Sequence, residues 1–180
     1  AQNPEATSSP SSSQSTVIDF PDSSSSSLDA ESDQIYVYID GNKITQNYVS
    51  STASDELKAQ LDSAGITTNG VTTDDEYNIY ASRIATYKSL SDQISTITGL
   101  KAYTVNSSNI ASTSVTDVLS GKIKIDSILP GDAFTIGDIN EVSGTTEIAG
   151  TKNTLSVAIQ GSGEAAVQNA MEALKNAVAG

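Results

Sequence analysis

The chain has 180 residues, nine Lys plus Arg against twenty-two Asp plus Glu for a formal net charge of −13, and no Cys, His or Trp. Without His or Cys there is no Ser-His-Asp or Cys-His nucleophile, no thiol redox centre, no disulfide and no ordinary zinc, copper or haem site. The negative charge disfavours phosphate backbones and anionic headgroups, and no apolar run reaches the roughly 18 residues of a spanning helix, so neither nucleic-acid binding nor membrane insertion is expected.

Residues 1–33 hold twelve Ser and three of the four Pro. Such a stretch buries too little apolar surface to offset the entropy of ordering it, and it reads as a flexible tail or linker. Val17-Ile18-Asp19-Phe20 interrupts it before Pro21. Val17, Ile18 and Phe20 suggest a local anchor on the domain, or a subunit-contact segment donated as a strand to a neighbour.

Pattern starts after Asp33. Q-I-Y-V-Y-I over 34–39 and K-I-T-Q-N-Y-V over 43–49 flank Asp40-Gly41-Asn42, which predicts a β-hairpin. Ser54, followed by Asp55 and Glu56, caps a helix with Leu57, Leu61 and Ala64 on one face and Gly65 at its end. Asn69-Gly70 marks a turn. Thr73 and Glu76 then form a capping box before the longest helical pattern, carried by Tyr77, Tyr80, Ala81, Ile84, Tyr87, Leu90, Ile94 and Ile97 and closed by Gly99.

Strands are predicted over 100–105, 122–128 and 134–136, with a polar loop over 107–116. A hairpin or loop is expected around Glu147-Ile148-Ala149, then a strand over 155–159 and a turn at Gly161-Ser162-Gly163. A last helix over 164–178 would present Val167, Ala170, Met171, Leu174 and Val178. The whole reads as α+β: antiparallel hairpins with about three helices on one face, preceded by a Ser-rich extended tail. The expected division is a tail over 1–33 and one domain over 34–180, with 34–106 and 107–180 as an alternative split.

Paired carboxylates are the one catalytic option this composition permits, and Asp40, Asp132 and Asp138 fall in loops. Loop Asp beside Gly is more often a turn former, so no enzyme and no cofactor are expected. Asp74-Asp75-Glu76 could at most hold calcium weakly at the surface, since adjacent helical residues do not face one point and capping already explains them.

Val37 and Ile39 before Asp40-Gly41, Ile44 after it, and Thr98-Gly99-Leu100-Lys101-Ala102 before a strand follow the pattern I-x-I-[ND]-G-x-x-I, helix, t-G-[VIL]-x-A. This 70-residue stretch resembles the exposed domains of flagellins and flagellar hook and hook-associated proteins, with two helical segments here between the halves. The resemblance implies a fragment of an exported axial subunit, an outer domain without the coiled-coil segments of the filament core. It makes Asp40, Gly41, Ile44, Gly99 and Ala102 the motif residues. It also implies self-association in an extracellular, cell-surface appendage. The alternative is a secreted adhesin or pilin-like subunit that binds glycan or protein and assembles by donating Val17–Phe20.

Overall fold

A computed structural model of the chain describes residues 12–21, 26–159 and 174–175. Among them the elements run β1 (Ser15–Asp19), β2 (Gln34–Ile39), β3 (Asn42–Asn47), α1 (Asp55–Ser63), α2 (Asp74–Ser95), β4 (Leu100–Thr104), α3 (Val115–Leu119), β5 (Lys122–Ser127), β6 (Ile136–Ser143), β7 (Thr146–Ala149) and β8 (Thr151–Ser156). The fold is α+β, as the sequence predicts. Its strands form two antiparallel four-stranded sheets, β4-β5-β1-β8 and β3-β2-β6-β7. One apolar core joins them, drawing Ile18 and Ile123 from the first sheet, Val37 and Ile139 from the second, and Leu61, Tyr87 and Leu90 from the helices.

The predicted hairpin is β2–β3, with Ile39 opposite Asn42. Its central residues, Asp40 and Gly41, sit at φ 50° and 77°. Positive φ at both positions is what a two-residue turn needs to match the strand twist. Ser54 caps α1 by accepting from the Leu57 amide, and Thr73 with Glu76 closes the capping box of α2 in both directions.

The described part of residues 1–33 departs from the tail expectation. Ser15–Asp19 is an interior strand, paired with β5 on one side and β8 on the other, and Ile18, Phe20 and Leu28 are fully or almost fully buried. A short apolar run suffices here because both backbone edges are satisfied by ladders and the side chains close a core that is otherwise built by later residues.

Three further differences are local. The loop expected over 107–116 ends in the N-cap of α3, where Ser114 accepts from the Asp117 amide. The strand expected over 134–136 starts at Ile136 and continues to Ser143, and the one expected over 155–159 starts at Thr151. Gly150 alone links β7 of one sheet to β8 of the other. A Cβ there would collide with the Asp19 carbonyl oxygen and lie 2.7 Å from an Ile139 methyl. The expected turn at 161–163 and helix over 164–178 lie outside the described residues, except for Leu174 and Lys175, which are helical.

The polar side of α2 is built as regularly as its apolar side. The amides of Ala53, Ser51 and Val49 donate to Asn78 Oδ1, Ser82 Oγ and Thr86 Oγ1 at 2.8, 2.8 and 2.9 Å. Two residues of extended chain advance about 6.7 Å and four helical residues about 6.0 Å, so an extended segment can bond every fourth helical side chain with every second amide. The seam continues onto β3, where Ser89 donates to Gln46 and Gln93 donates to the Thr45 carbonyl. At the other sheet, Ser95 Oγ accepts from the Ala102 amide at 2.9 Å and donates to its carbonyl at 3.1 Å. Helix α2 thereby covers the outer edges of β3 and β4, which would otherwise present unpaired backbone.

Candidate interaction surfaces

The predicted motif residues occupy structural positions. Asp40 Oδ1 accepts from the Thr135 amide at 2.9 Å and its own amide donates to the Thr135 carbonyl, which ties the hairpin tip to the chain entering β6. Ile44 packs on the core from β3. Gly99 takes φ 86° between α2 and β4, and its carbonyl accepts from Ile128. Ala102 is buried under Ser95. The two halves of the motif thus lie in different sheets, joined by α2.

Val17, Ile18 and Phe20, the predicted contact segment, are at most 4% exposed within their own chain. Phe20 lies 6.0 Å from Tyr87, ring centre to ring centre, and donates its amide to Gly121.

The acidic groups have local roles. Asp74 pairs with Lys58 at 2.7 Å. Glu76 is held below the usual carboxylate range by hydrogen bonds from the Thr73 amide, first, and its hydroxyl. Asp132 and Asp138 are exposed. Among the described residues, no group of three or more Asp, Glu, His or Cys is placed to hold a metal ion, and no buried side-chain polar atom lacks a hydrogen-bond partner.

Sequence reasoning missed a buried polar cluster behind the serine-rich connection. Glu141 on β6 is fully buried and accepts from the Ser26 hydroxyl at 3.1 and 3.2 Å, the Ser27 hydroxyl at 3.0 Å and the Ser27 amide. Arg83 on α2 donates to the Leu28 and Ser26 carbonyls at 2.8 and 3.3 Å. The Tyr87 hydroxyl donates to the Pro21 carbonyl, and burial followed by the nearby Glu141 charge raises its pKa well above the ordinary value. The cluster fastens the β1–β2 connection to α2 and β6. Its groups are engaged with main chain and hydroxyls, which is the chemistry of a clasp.

What remains uncommitted is apolar. Among the described residues eight large apolar side chains are exposed, and Ile128, Leu129, Leu155, Val157 and Ile159 are five of them. They converge at one end of the first sheet. Ser12 and Ile159 exchange amide–carbonyl hydrogen bonds at 3.0 Å in both directions, Gly131 donates to Ser12, and Ser127 donates to Gln14. The three stretches that meet there, 12–14, 127–131 and 155–159, carry no charged residue. Beside them β8 is an edge strand, exposed over Thr151–Leu155. A sixth exposed side chain, Val71 at 76% exposure, borders a groove of about 340 Å³ at the turn between α1 and α2, where Ile66, Ile79 and Tyr80 stand beside Thr67, Thr72, Glu76 and Arg83. The sequence signal for the apolar end was the run of uncharged residues itself, which reads equally well as a buried strand.

No protein-family model, curated protein or solved structure matches the chain. Among the described residues, no helix is long and apolar enough to cross a membrane.

Proposed function

We propose that the chain is a non-catalytic structural module of an extracellular bacterial filament, of the flagellar hook or flagellin type, acting through contacts with neighbouring subunits. The observation that carries this reading is the uncharged apolar end. Ser12 and Ile159 lie side by side there in a β-bridge, amid five exposed aliphatic side chains. Exposed apolar surface without charged residues is surface left for packing against a neighbour.

The motif residues support the same reading, because each serves a turn or a packing contact and none is left for substrate. Assembly by donation of Val17–Phe20 gains nothing from this arrangement, since β1 already fills the space between β5 and β8 of its own chain.

Antibodies raised against the folded chain, applied as immunogold to intact cells of the source organism, test the proposal. Labelling along surface appendages is the expected result. Gold confined to the cell body, or to soluble secreted material, would overturn it.

A further inference from the structure

We propose that Asn69-Gly70, at the turn between α1 and α2, is a site of spontaneous covalent modification: the Asn69 side chain closes on the Gly70 backbone nitrogen to form a cyclic imide, which water opens to aspartate and isoaspartate. The inference goes beyond the filament reading and does not depend on it.

Water is the only co-reactant. The Gly70 nitrogen bonds to Asn69 Cγ, the bond from Cγ to the side-chain nitrogen breaks, and the Gly70 amide proton leaves with that nitrogen as ammonia. Water then splits one of the two imide C–N bonds. Cleavage at Cγ leaves an ordinary aspartate at position 69. Cleavage at the main-chain carbonyl leaves isoaspartate, with the backbone rerouted through the side chain. Glycine favours the first step because no Cβ obstructs the approach to its nitrogen.

Asn69-Gly70 is the one Asn-Gly pair in the sequence, and the fold leaves it open to reaction. Both residues are exposed, and a Cβ on Gly70 would meet nothing within 4 Å. The segment is pinned at its base. Val71 and Thr72 donate their amides to the Thr68 carbonyl at 3.1 and 2.9 Å, and the Thr68 amide donates to the Thr72 hydroxyl at 2.9 Å. Gly70 at φ 76° makes Thr68–Val71 a type II turn, in which the peptide between the two central residues stands outside the turn's own hydrogen bond. Neither the Asn69 side chain nor the Gly70 amide has a hydrogen-bond partner among the described residues. Closing the imide therefore breaks no protein hydrogen bond.

The comparable pairs are held. At Asp40-Gly41, Asp40 Oδ1 accepts from the Thr135 amide and hydroxyl at 2.9 and 3.3 Å. At Asn106-Ser107, Asn106 Oδ1 accepts from the Ser108 and Ile110 amides at 2.9 and 3.0 Å. Each side chain is thus restrained against the rotation that ring closure needs.

The product changes the charge of its surroundings. Asn69 lines a cavity of about 390 Å³ together with Asp55, Lys58, Asp62 and Asp74. Modification sets a fourth carboxylate beside one lysine and makes the chain one unit more negative than −13.

The test is incubation of the full chain at mildly alkaline pH in heavy-oxygen water, followed by isoelectric focusing and peptide mass mapping. One more acidic species should accumulate, with a solvent oxygen in place of the amide nitrogen at position 69 and isoaspartate exceeding aspartate. Its rate should rise with pH, because the deprotonated Gly70 nitrogen is the attacking group. That rate should lie within about tenfold of the rate in a free peptide of residues 66–73, since an unbonded loop tip opens at almost no cost. Asn69→Ser, at an exposed position, should keep the parent's circular dichroism and lose the acidic species.

Three results would overturn the proposal. A chain that keeps its isoelectric point while the peptide converts has a turn that blocks ring closure. An acidic species that persists in Asn69→Ser, or maps first to Asn106, places the reactive amide elsewhere. A product with aspartate and no isoaspartate arises by direct hydrolysis of the side chain, without the imide.

Discussion

Ile18→Ala separates a structural β1 from a loosely attached tail. Ile18 is completely buried, opposite the equally buried Ile123 on β5 and flanked on its other side by β8. The substitution removes three buried carbons, about 2.4 kcal/mol at ~0.8 kcal/mol per methylene. A site held by ladders on both edges collapses poorly, and the residual cavity adds about 1–2 kcal/mol, for a total of about 3.4–4.4 kcal/mol. Against an ordinary domain stability of 5–15 kcal/mol this is a large fraction. Urea unfolding followed by circular dichroism reads it as a lower midpoint at unchanged slope. Val157→Ala, at a 61% exposed position, is the control and should stay within about 0.5 kcal/mol. An Ile18→Ala midpoint indistinguishable from that control would refute the assignment of β1 to the core.

Glu141→Ala should cost about 1–3 kcal/mol, because it removes the acceptor of the half-buried Ser26 and Ser27 donors, whereas Glu141→Gln keeps acceptors in place and should cost less; equal losses in the two variants would show that the donors are not the cause. Gly150→Ala should cost about 1–3 kcal/mol, since its Cβ meets the Asp19 carbonyl and Ile139, and a neutral result in the same urea assay would mean that the link between the sheets yields. The pKa values of Tyr87 and Tyr103 are both raised, by burial first and then by Glu141 and by the hydrogen bond to Asp126 respectively. The stability these two groups contribute is therefore complete below the unfolded-state pKa of about 10 and is lost as pH rises past it. Part of the phenolate absorbance at 295 nm should accordingly appear only as the dichroism collapses, and ionisation of all seven tyrosines with the fold intact would contradict this.

The elements written in local chemistry were legible. Asp40-Gly41 between β-branched runs, Ser54 before two acids, and the Thr73–Glu76 box before a six-turn apolar stripe each act within a few residues, and each lies where the sequence placed it. Pairing across the chain was not legible. Ser15–Asp19 reaches its partners more than a hundred residues later, at 122–126 and 151–156, and the surrounding serines mask only three apolar side chains, Val17, Ile18 and Phe20. The separation into two sheets turns on Gly150, a single residue that pattern reasoning passes over inside a Gly/Thr-rich stretch. The buried Glu141 was hidden for a related reason: its donors, Ser26 and Ser27, come from the segment that composition assigns to solvent.

The abundance of hydroxyls has a specific structural use that bears on assembly. Ser82 and Thr86 are buried on α2 and Ser95 is exposed at its end, and each hydroxyl serves a backbone group on a neighbouring segment. Small hydroxyls fit this task because they satisfy main chain at close approach without introducing charge into the core. The result is asymmetric. Helix α2 seals the open edges of β3 and β4, while β8 and the uncharged ends of the first sheet are left uncovered by any described element. A chain with this much negative charge keeps its copies apart over most of its surface, so an attractive contact has to form where the charge is missing. The structure has such a place at the end of the first sheet, where Ile128, Leu129, Leu155, Val157 and Ile159 are exposed.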